Sequence, residues 1–143
     1  MTGARIARLV FVAVATAALA FAAQWKSSAG ETAIPSFAGN TGWLNSASLG
    51  AADLHGKIVL VDFWEYTCIN CLRTLPYLRD WYAKYRDAGF TIVGVHSPEF
   101  GFSGDSQNVA AAAKRLGVTW PVVLDDGFSI WKRYRNDGWP HEY

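Results

Sequence analysis

Apolar and polar positions alternate with two different periods along residues 51–143. Residues 58–64 form an apolar run that only Asp62 interrupts, as expected for a strand covered on both faces. Residues 68–88 place leucines and aromatic side chains three and four positions apart, which predicts an amphipathic helix that Gly89 ends. The same patterns predict strands at 91–96 and 122–125 and helices at 106–116 and 129–134. Because strands and helices alternate, we expect an α/β sandwich with parallel strands joined by right-handed crossovers.

The first 50 residues differ in composition from the rest of the chain. Residues 1–23 carry Arg5 and Arg8 ahead of a long apolar run that ends in small residues, which predicts an export signal peptide or an N-terminal membrane anchor. Residues 24–50 are rich in Gly, Ser, Ala, Thr and Asn, so we interpret them as a linker or loosely packed leading segment. At 143 residues the chain is long enough for one domain with a core and too short for two, and we place that domain at residues 51–143.

The charges of the chain are nearly balanced, with 13 Lys and Arg residues against 12 Asp and Glu residues. Subtracting Arg5 and Arg8 of the predicted signal leaves 11 basic residues (13 − 2) against 12 acidic ones. A nearly neutral domain offers no basic surface for nucleic acid or for anionic lipid headgroups. We therefore expect no nucleic-acid partner, and a membrane contact only through the N-terminal segment.

Cys68 and Cys71 are the only cysteines in the chain. They stand in a Cys-Ile-Asn-Cys motif between the predicted strand and the predicted helix. A sulfur at the first turn of a helix faces unpaired backbone N–H groups and the positive end of the helix dipole, and both favour the thiolate. The motif therefore predicts reversible thiol-disulfide chemistry, with Cys68 as the more exposed nucleophile and Cys71, one turn inside the helix, as the resolving cysteine.

Other uses of the two cysteines fit the sequence less well. A structural zinc site needs four ligands, and the chain has no second close pair of ligands to add to the motif. Covalent haem attachment needs His directly after the second cysteine, where the chain has Leu72. A fixed structural disulfide stays open, although a bridge that closes so short a loop contributes little stability. We expect no metal and no organic cofactor.

Residues 56–64, the Cys-Ile-Asn-Cys motif and Pro76 resemble the exported TlpA-like, redoxin-type thiol-disulfide oxidoreductases. Residues 66–73 and 96–100 are also similar to the thioredoxin-like domain of membrane electron-transfer proteins of the cytochrome c biogenesis type. The resemblance covers about residues 51–143 and implies a thioredoxin-like three-layer sandwich. It also implies an enzyme that exchanges electrons with protein dithiols and disulfides in the periplasm or another extracytoplasmic space. Its implied partners are protein thiols and a membrane electron donor of the same biogenesis type.

The same resemblance assigns roles to three further residues. Asp62, six positions before Cys68, matches the buried acid that assists deprotonation of the second cysteine, and a buried carboxylate without a partner should have a raised pKa. An Asp that backbone donors satisfy, with no catalytic part, is the alternative. Trp139 and Pro140 match the segment that docks extended substrates, in which the proline is cis and lies against the disulfide. A plain loop proline is the alternative there.

The chain also departs from the pattern of the fold and from that of its peroxidases. The thioredoxin fold normally continues after the cis-proline with two strands and a helix, whereas this chain has three residues after Pro140. We therefore expect a domain truncated at its C-terminus, with the final hairpin and helix missing. Alkyl hydroperoxide reductases and thiol-specific antioxidant proteins need Thr or Ser three positions before the reactive cysteine and Pro four positions earlier, but this chain has Glu65 and Val61 there. A peroxiredoxin-like antioxidant and an inactive, non-catalytic module are the alternative functions.

Overall fold

Five strands form one mixed sheet in the computed structural model, which describes residues 34–143. In chain order the elements are β1 (Gly42–Leu44), α1 (Ala51–Leu54), β2 (Ile58–Trp64), α2 (Ile69–Tyr85), β3 (Phe90–His96), α3 (Ser106–Arg115), β4 (Val122–Leu124), α4 (Ser129–Tyr134) and β5 (His141–Glu142), with 3₁₀ turns at Arg86–Ala88 and Gly101–Gly104. Each strand and helix predicted from the sequence is present close to its expected bounds. The predicted α/β architecture is therefore confirmed.

The sheet has the strand order β1-β4-β3-β2-β5. Strands β2, β3 and β4 are parallel, whereas β1 pairs antiparallel with β4 and β5 pairs antiparallel with β2. The three strands predicted from the sequence are therefore parallel as expected, and the two antiparallel edge strands are ones that the sequence analysis did not predict. Because the carboxyl ends of parallel strands meet at one edge of the sheet, the segments that follow β2, β3 and β4 lie together there.

Each face of the sheet has its own hydrophobic core, because successive side chains of a strand alternate between the faces. Helix α2 packs on one face, where Cys71, Leu75 and Leu78 join the cluster around Trp64 of β2. Burying one leucine side chain stabilises a fold by roughly 1.5–3 kcal/mol, so these contacts hold the cysteine helix in place. The core of the other face includes Phe37, Leu54, Phe63, Ile130 and Tyr134.

Part of the predicted linker belongs to the folded domain. Residues 34–50 lie in the same compact unit as the rest, which begins at Ile34 and not at position 51. Strand β1 pairs with β4, with Trp43 opposite Val123, and the buried Phe37 ring meets the Trp43 ring edge-on at 5.7 Å. Although most residues of this stretch are polar or small, burial of its few aromatic side chains is favourable enough to pack it on the domain.

The predicted signal peptide or membrane anchor, residues 1–23, lies outside the described residues. Residues 24–33 of the predicted linker lie outside them as well. Within residues 34–143, no helix is both long enough and apolar enough to cross a membrane.

One short strand follows Pro140, and the described residues contain neither a second strand nor a helix after it, in agreement with the expected truncation of the fold. His141 and Glu142 form β5, whose pairing with β2 sets Glu142 opposite Asp62. Tyr143 extends this ladder, since its backbone N–H and C=O both bond to the backbone of Val61 at 2.9 Å. The segment that follows Pro140 therefore adds one strand to the edge of the sheet.

Candidate active site

The two sulfurs lie at the carboxyl end of β2, where the chain turns into α2. Cys68 is the N-cap residue of α2 and keeps an extended backbone, with φ −69° and ψ 113°. Its Sγ accepts a hydrogen bond from the Cys71 backbone N–H at 3.4 Å. Cys68 is half-buried, whereas Cys71 is fully buried, and both are free thiols in this structure. The fold therefore leaves one sulfur of the pair accessible and shields the other.

The environment of Cys71 favours its protonated form. Burial raises the pKa of the Cys71 thiol, and the hydrogen bond with Cys68 and the charge of Asp62 raise it further. A backbone hydrogen bond with Glu65 acts in the opposite direction. Cys71 therefore stays a thiol at neutral pH and needs a nearby base to lose its proton during an exchange.

Asp62 is a buried acid on the face of the sheet that α2 covers, because it lies two residues before Trp64 in β2. It is 1% exposed, and neither of its carboxylate oxygens has a hydrogen-bond partner. Burial, together with a smaller effect of the Glu142 charge, raises the pKa of Asp62 from 3.8 to about 8. The alternative in which backbone donors satisfy Asp62 does not describe this structure. The carboxyl group is mostly protonated at neutral pH and can exchange a proton with a neighbour.

Gly94 of β3 pairs with Asp62 and allows two indole rings to approach the sheet closely. A Cβ atom at Gly94 would lie 3.0 Å from Trp64 Nε1 and 3.3 Å from Trp120 Nε1. Both indole N–H groups are buried and have no hydrogen-bond partner. Strand β3 therefore offers Asp62 no side-chain neighbour at the paired position, and a larger residue there would displace the two rings.

Trp139 and Pro140 lie beside Cys68, and the peptide bond between them is cis. The Cys68 thiol donates to the Trp139 carbonyl oxygen at 3.8 Å. The Trp139 indole N–H donates to the Ser97 carbonyl oxygen at 3.0 Å. The backbone just before Pro140 therefore reaches the accessible sulfur, while the Trp139 ring is anchored on the segment that follows β3.

Asp125 is a buried residue near the site that the sequence pattern did not indicate as a site residue, and it holds the start of α4 by hydrogen bonds. Its buried carboxylate accepts hydrogen bonds from the backbone N–H groups of Ile130 at 2.9 Å and Trp131 at 2.8 Å. The Ser97 hydroxyl donates to the same carboxylate at 3.2 Å. These bonds join the ends of β3 and β4 to α4. An acidic residue directly before a turn and a helix is the signal that could have found it.

Glu65 is a second buried acid that the pattern did not indicate as a site residue. Its Oε2 accepts hydrogen bonds from the Thr67 backbone N–H at 2.7 Å and from the Thr67 hydroxyl at 2.5 Å. Its carbonyl oxygen accepts a hydrogen bond from the Cys68 N–H at 3.2 Å. Glu65 therefore holds the turn that leads into Cys68, at the position where a peroxidase carries Thr or Ser.

His96 is fully buried at the end of β3, and its ring stacks on Tyr66 at a centroid distance of 5.7 Å. Burial lowers the pKa of His96 to about 4, against an opposing effect of the Glu65 charge. The imidazole is therefore neutral at physiological pH and contributes packing rather than charge. Among residues 34–143, no three His, Cys, Asp or Glu side chains are grouped closely enough to hold a metal ion.

A family model described as the AhpC/TSA family matches residues 31–139 of the chain. Protein DipZ of Mycobacterium tuberculosis is 46% identical over 112 residues, which cover 76% of this chain and 16% of DipZ. The chloroplastic protein SUPPRESSOR OF QUENCHING 1 of Arabidopsis thaliana is 41% identical over 110 residues, which cover 76% of this chain and 10% of that protein. The chain therefore spans less than a fifth of the length of these curated relatives.

The fold also matches solved structures of redox proteins. The thioredoxin domain of a thiol-disulfide oxidoreductase from Bacteroides vulgatus superposes with a TM-score of 0.59 at 33% identity, over 70% of each chain. The thioredoxin-like fold and the redoxin-type resemblance predicted from the sequence are therefore confirmed.

Proposed function

The chain belongs to the AhpC/TSA family, and on that premise we propose that it is a thiol-disulfide oxidoreductase. It exchanges electrons with protein dithiols and disulfides through Cys68 and Cys71. The observation that carries this proposal is the unequal placement of the two sulfurs. Cys68 is half-buried at the N-terminus of α2, and Cys71 is fully buried one turn further on, with its backbone N–H 3.4 Å from the Cys68 sulfur. A reversible exchange requires one sulfur that can attack and a shielded one that can resolve.

The proposed exchange has two steps. In the first step the Cys68 thiolate attacks one sulfur of a partner disulfide and displaces the other as a thiolate. In the second step the Cys71 sulfur attacks Cys68, breaks the mixed disulfide and releases the remaining partner sulfur. Two electrons pass to the partner, and Cys68 and Cys71 end as a disulfide. Asp62 takes the proton of Cys71 in the second step and returns it when the sequence runs in reverse.

Substrate docking is assigned to Trp139 and Pro140. The assignment is supported by the 3.8 Å contact between the Cys68 sulfur and the Trp139 carbonyl oxygen, and by the anchoring of the Trp139 indole on Ser97. An extended partner segment that lies along Pro140 would bring its disulfide to the accessible sulfur.

The proposed location is outside the cytoplasm. The support for it is the basic start and the apolar run within residues 1–23, which act either as a cleaved signal or as a membrane anchor. In a compartment that is kept oxidising, a dithiol reductant must be reduced again after each turnover. We therefore infer a membrane electron donor of the cytochrome c biogenesis type as a partner, besides the protein substrates.

Fusing residues 1–30 to a reporter enzyme that is active only outside the cytoplasm should give an active reporter, because Arg5 and Arg8 precede an uninterrupted apolar run. Replacing two leucine or valine residues of the run with Asp should abolish reporter activity and serves as the control. An inactive fusion that is expressed at a normal level would contradict the export prediction.

A redox titration tests the proposed function. Protein equilibrated in glutathione buffers of increasing oxidation should titrate as one two-electron couple, read by alkylation of the free thiols. The reduced protein should also cleave the disulfides of insulin, and the Cys68→Ser variant should not. Thiols that never interconvert with glutathione would contradict the proposal and would favour an inactive module.

A hydroperoxide assay on the same samples distinguishes peroxide reduction from thiol-disulfide exchange. The side chain of Glu65 stands where those enzymes carry a Thr or Ser hydroxyl, so the site lacks the hydroxyl group that those peroxidases need at this position. We expect the reduced protein to consume a hydroperoxide no faster than an unstructured cysteine thiol does. Faster consumption that Cys68→Ser abolishes would favour peroxide reduction instead.

A further inference from the structure

We propose that Glu142 is a positioning residue for the exchange: as the cross-strand partner of Asp62, it sets the pH range in which Asp62 takes the proton of Cys71. This inference rests on the proposed function and deepens it, because it adds a second carboxylate that regulates the first. The contact lies at the edge of the sheet, where β5 pairs with β2.

The register of β5 places Glu142 beside Asp62, with both side chains on the same face of the sheet. Glu142 is directly opposite Asp62 in an antiparallel pair, and such residues have Cβ atoms about 4.5–5.5 Å apart with side chains on the same face. The neighbouring rings of His141 and Tyr143 stack on each other at 4.7 Å, and the Tyr143 ring meets Phe63 on the opposite face at 5.7 Å. The alternation along β5 therefore directs Glu142 to the face of Asp62.

The other elements around Asp62 supply nothing that would cancel the charge of Glu142. Strand β3 presents Gly94 at the paired position, and α2 presents the thiol of Cys71. In the part of the chain that the structure describes, no Lys, Arg or His forms an ion pair with Asp62, whose two oxygens also have no hydrogen-bond partner. Burial raises the pKa of Asp62, and the charge of Glu142 contributes to the same rise.

The consequence for the chemistry follows from the proton balance of the resolving step. As the Cys71 sulfur bonds to Cys68, the bond between Cys68 and the partner sulfur breaks, and its electron pair leaves with the partner. The proton of Cys71 passes to Asp62, which can accept it only when Asp62 is ionised. A negative charge on Glu142 opposes that ionisation. Removing the charge should therefore let the resolving step proceed at lower pH.

The first test follows the titration of Asp62 itself in the full chain, through the ¹³C chemical shift of its carboxyl carbon. Glu142→Gln should lower the midpoint by roughly one pH unit, as expected for removal of a unit charge from the paired residue at the edge of the sheet. Glu142→Asp, which keeps the charge, should stay close to the original midpoint. The control Asp87→Asn removes an acid whose side chain is 92% exposed, and it should shift nothing.

The second test measures the resolving step. A mixed disulfide between Cys68 and thionitrobenzoate releases a coloured thiol when Cys71 attacks, so the release rate can be followed from pH 5 to pH 10. Glu142→Gln should shift this profile down by the same amount, which raises the rate at pH 7 by up to about tenfold. Glu142→Asp and Asp87→Asn should follow the original profile.

The outcomes separate the inference from the proposed function. A folded Glu142→Gln protein with normal release and an unmoved Asp62 titration overturns the inference alone. A titration that moves while the release profile stays in place also overturns it, because Glu142 would then have no part in the exchange. If the unmodified protein never releases the thiol, the proposed function fails and the inference fails with it.

Discussion

Replacing Cys71 with Ser should convert the protein into a trap for its partners. Cys68 keeps its place at the N-terminus of α2 and can still attack, but the buried sulfur that would attack Cys68 in turn is gone. A neighbouring sulfur held in position has a large effective concentration, so release of the mixed disulfide should slow by at least about a hundredfold. Replacing Cys68 with Ser should abolish capture, because Cys71 is fully buried and its pKa is raised by burial.

Non-reducing gels of extracts that contain each variant measure this prediction. Bands that appear with Cys71→Ser and disappear after a reductant is added are the expected result. The double variant with Ser at both positions is the control for bands that do not depend on the motif. Equal trapping by both single variants would mean that the assignment of Cys68 as nucleophile is wrong. If neither folded variant traps a protein, the oxidoreductase proposal fails.

Replacing Asp62 with Asn should stabilise the protein at alkaline pH and leave its stability at acidic pH nearly unchanged. Burial raises the pKa of Asp62 from 3.8 to about 8, so between these pH values the folded state binds a proton that the unfolded state has lost. The stability of the unmodified protein should therefore fall as the pH rises from about 4 to about 8, while the Asn variant lacks this dependence. At about 1.36 kcal/mol per pKa unit, the advantage of the variant above pH 8 reaches at most roughly 6 kcal/mol.

Urea unfolding near pH 4 and near pH 9 measures this difference directly. Asp87→Asn is the matched control, because that side chain is 92% exposed and should change the free energy of unfolding by less than about 0.5 kcal/mol at either pH. An Asp62→Asn variant whose gain in stability is the same at both pH values would contradict a raised pKa. The same variant should also slow the resolving step, since Asn cannot accept the proton of Cys71.

The elements around the cysteines could be predicted from the sequence because their determinants are local. The apolar run of β2 has the length and composition of a strand covered on both faces, and α2 repeats its apolar positions with the period of a helix. Because the Cys-Ile-Asn-Cys motif lies between strand β2 and helix α2, the sequence predicts that its sulfurs lie at the start of the helix. Trp139 and Pro140 were found through the family resemblance, not through any local pattern.

The parts that could not be predicted depend on contacts between distant residues. Strand β1 lies in a stretch of polar composition, and its pairing with β4 joins residues about 80 positions apart. Glu65 and Asp125 are charged residues that a pattern assigns to the surface, yet both are fully buried because backbone N–H groups and hydroxyls bond to their carboxylates.

The sequence by itself determined the α/β class and the place of the two cysteines in it, because a strand, a Cys-Ile-Asn-Cys motif and an amphipathic helix are each specified by neighbours within a few residues. Only the tertiary structure decided which groups surround the sulfurs. The family resemblance pointed to Asp62 as the buried acid, but the register between β2 and β5 determined that Glu142 is the residue paired with it. A shift of one residue in that register would turn Glu142 to the opposite face of the sheet. Register is set by the packing of the whole sheet, so no local pattern could have paired Glu142 with Asp62.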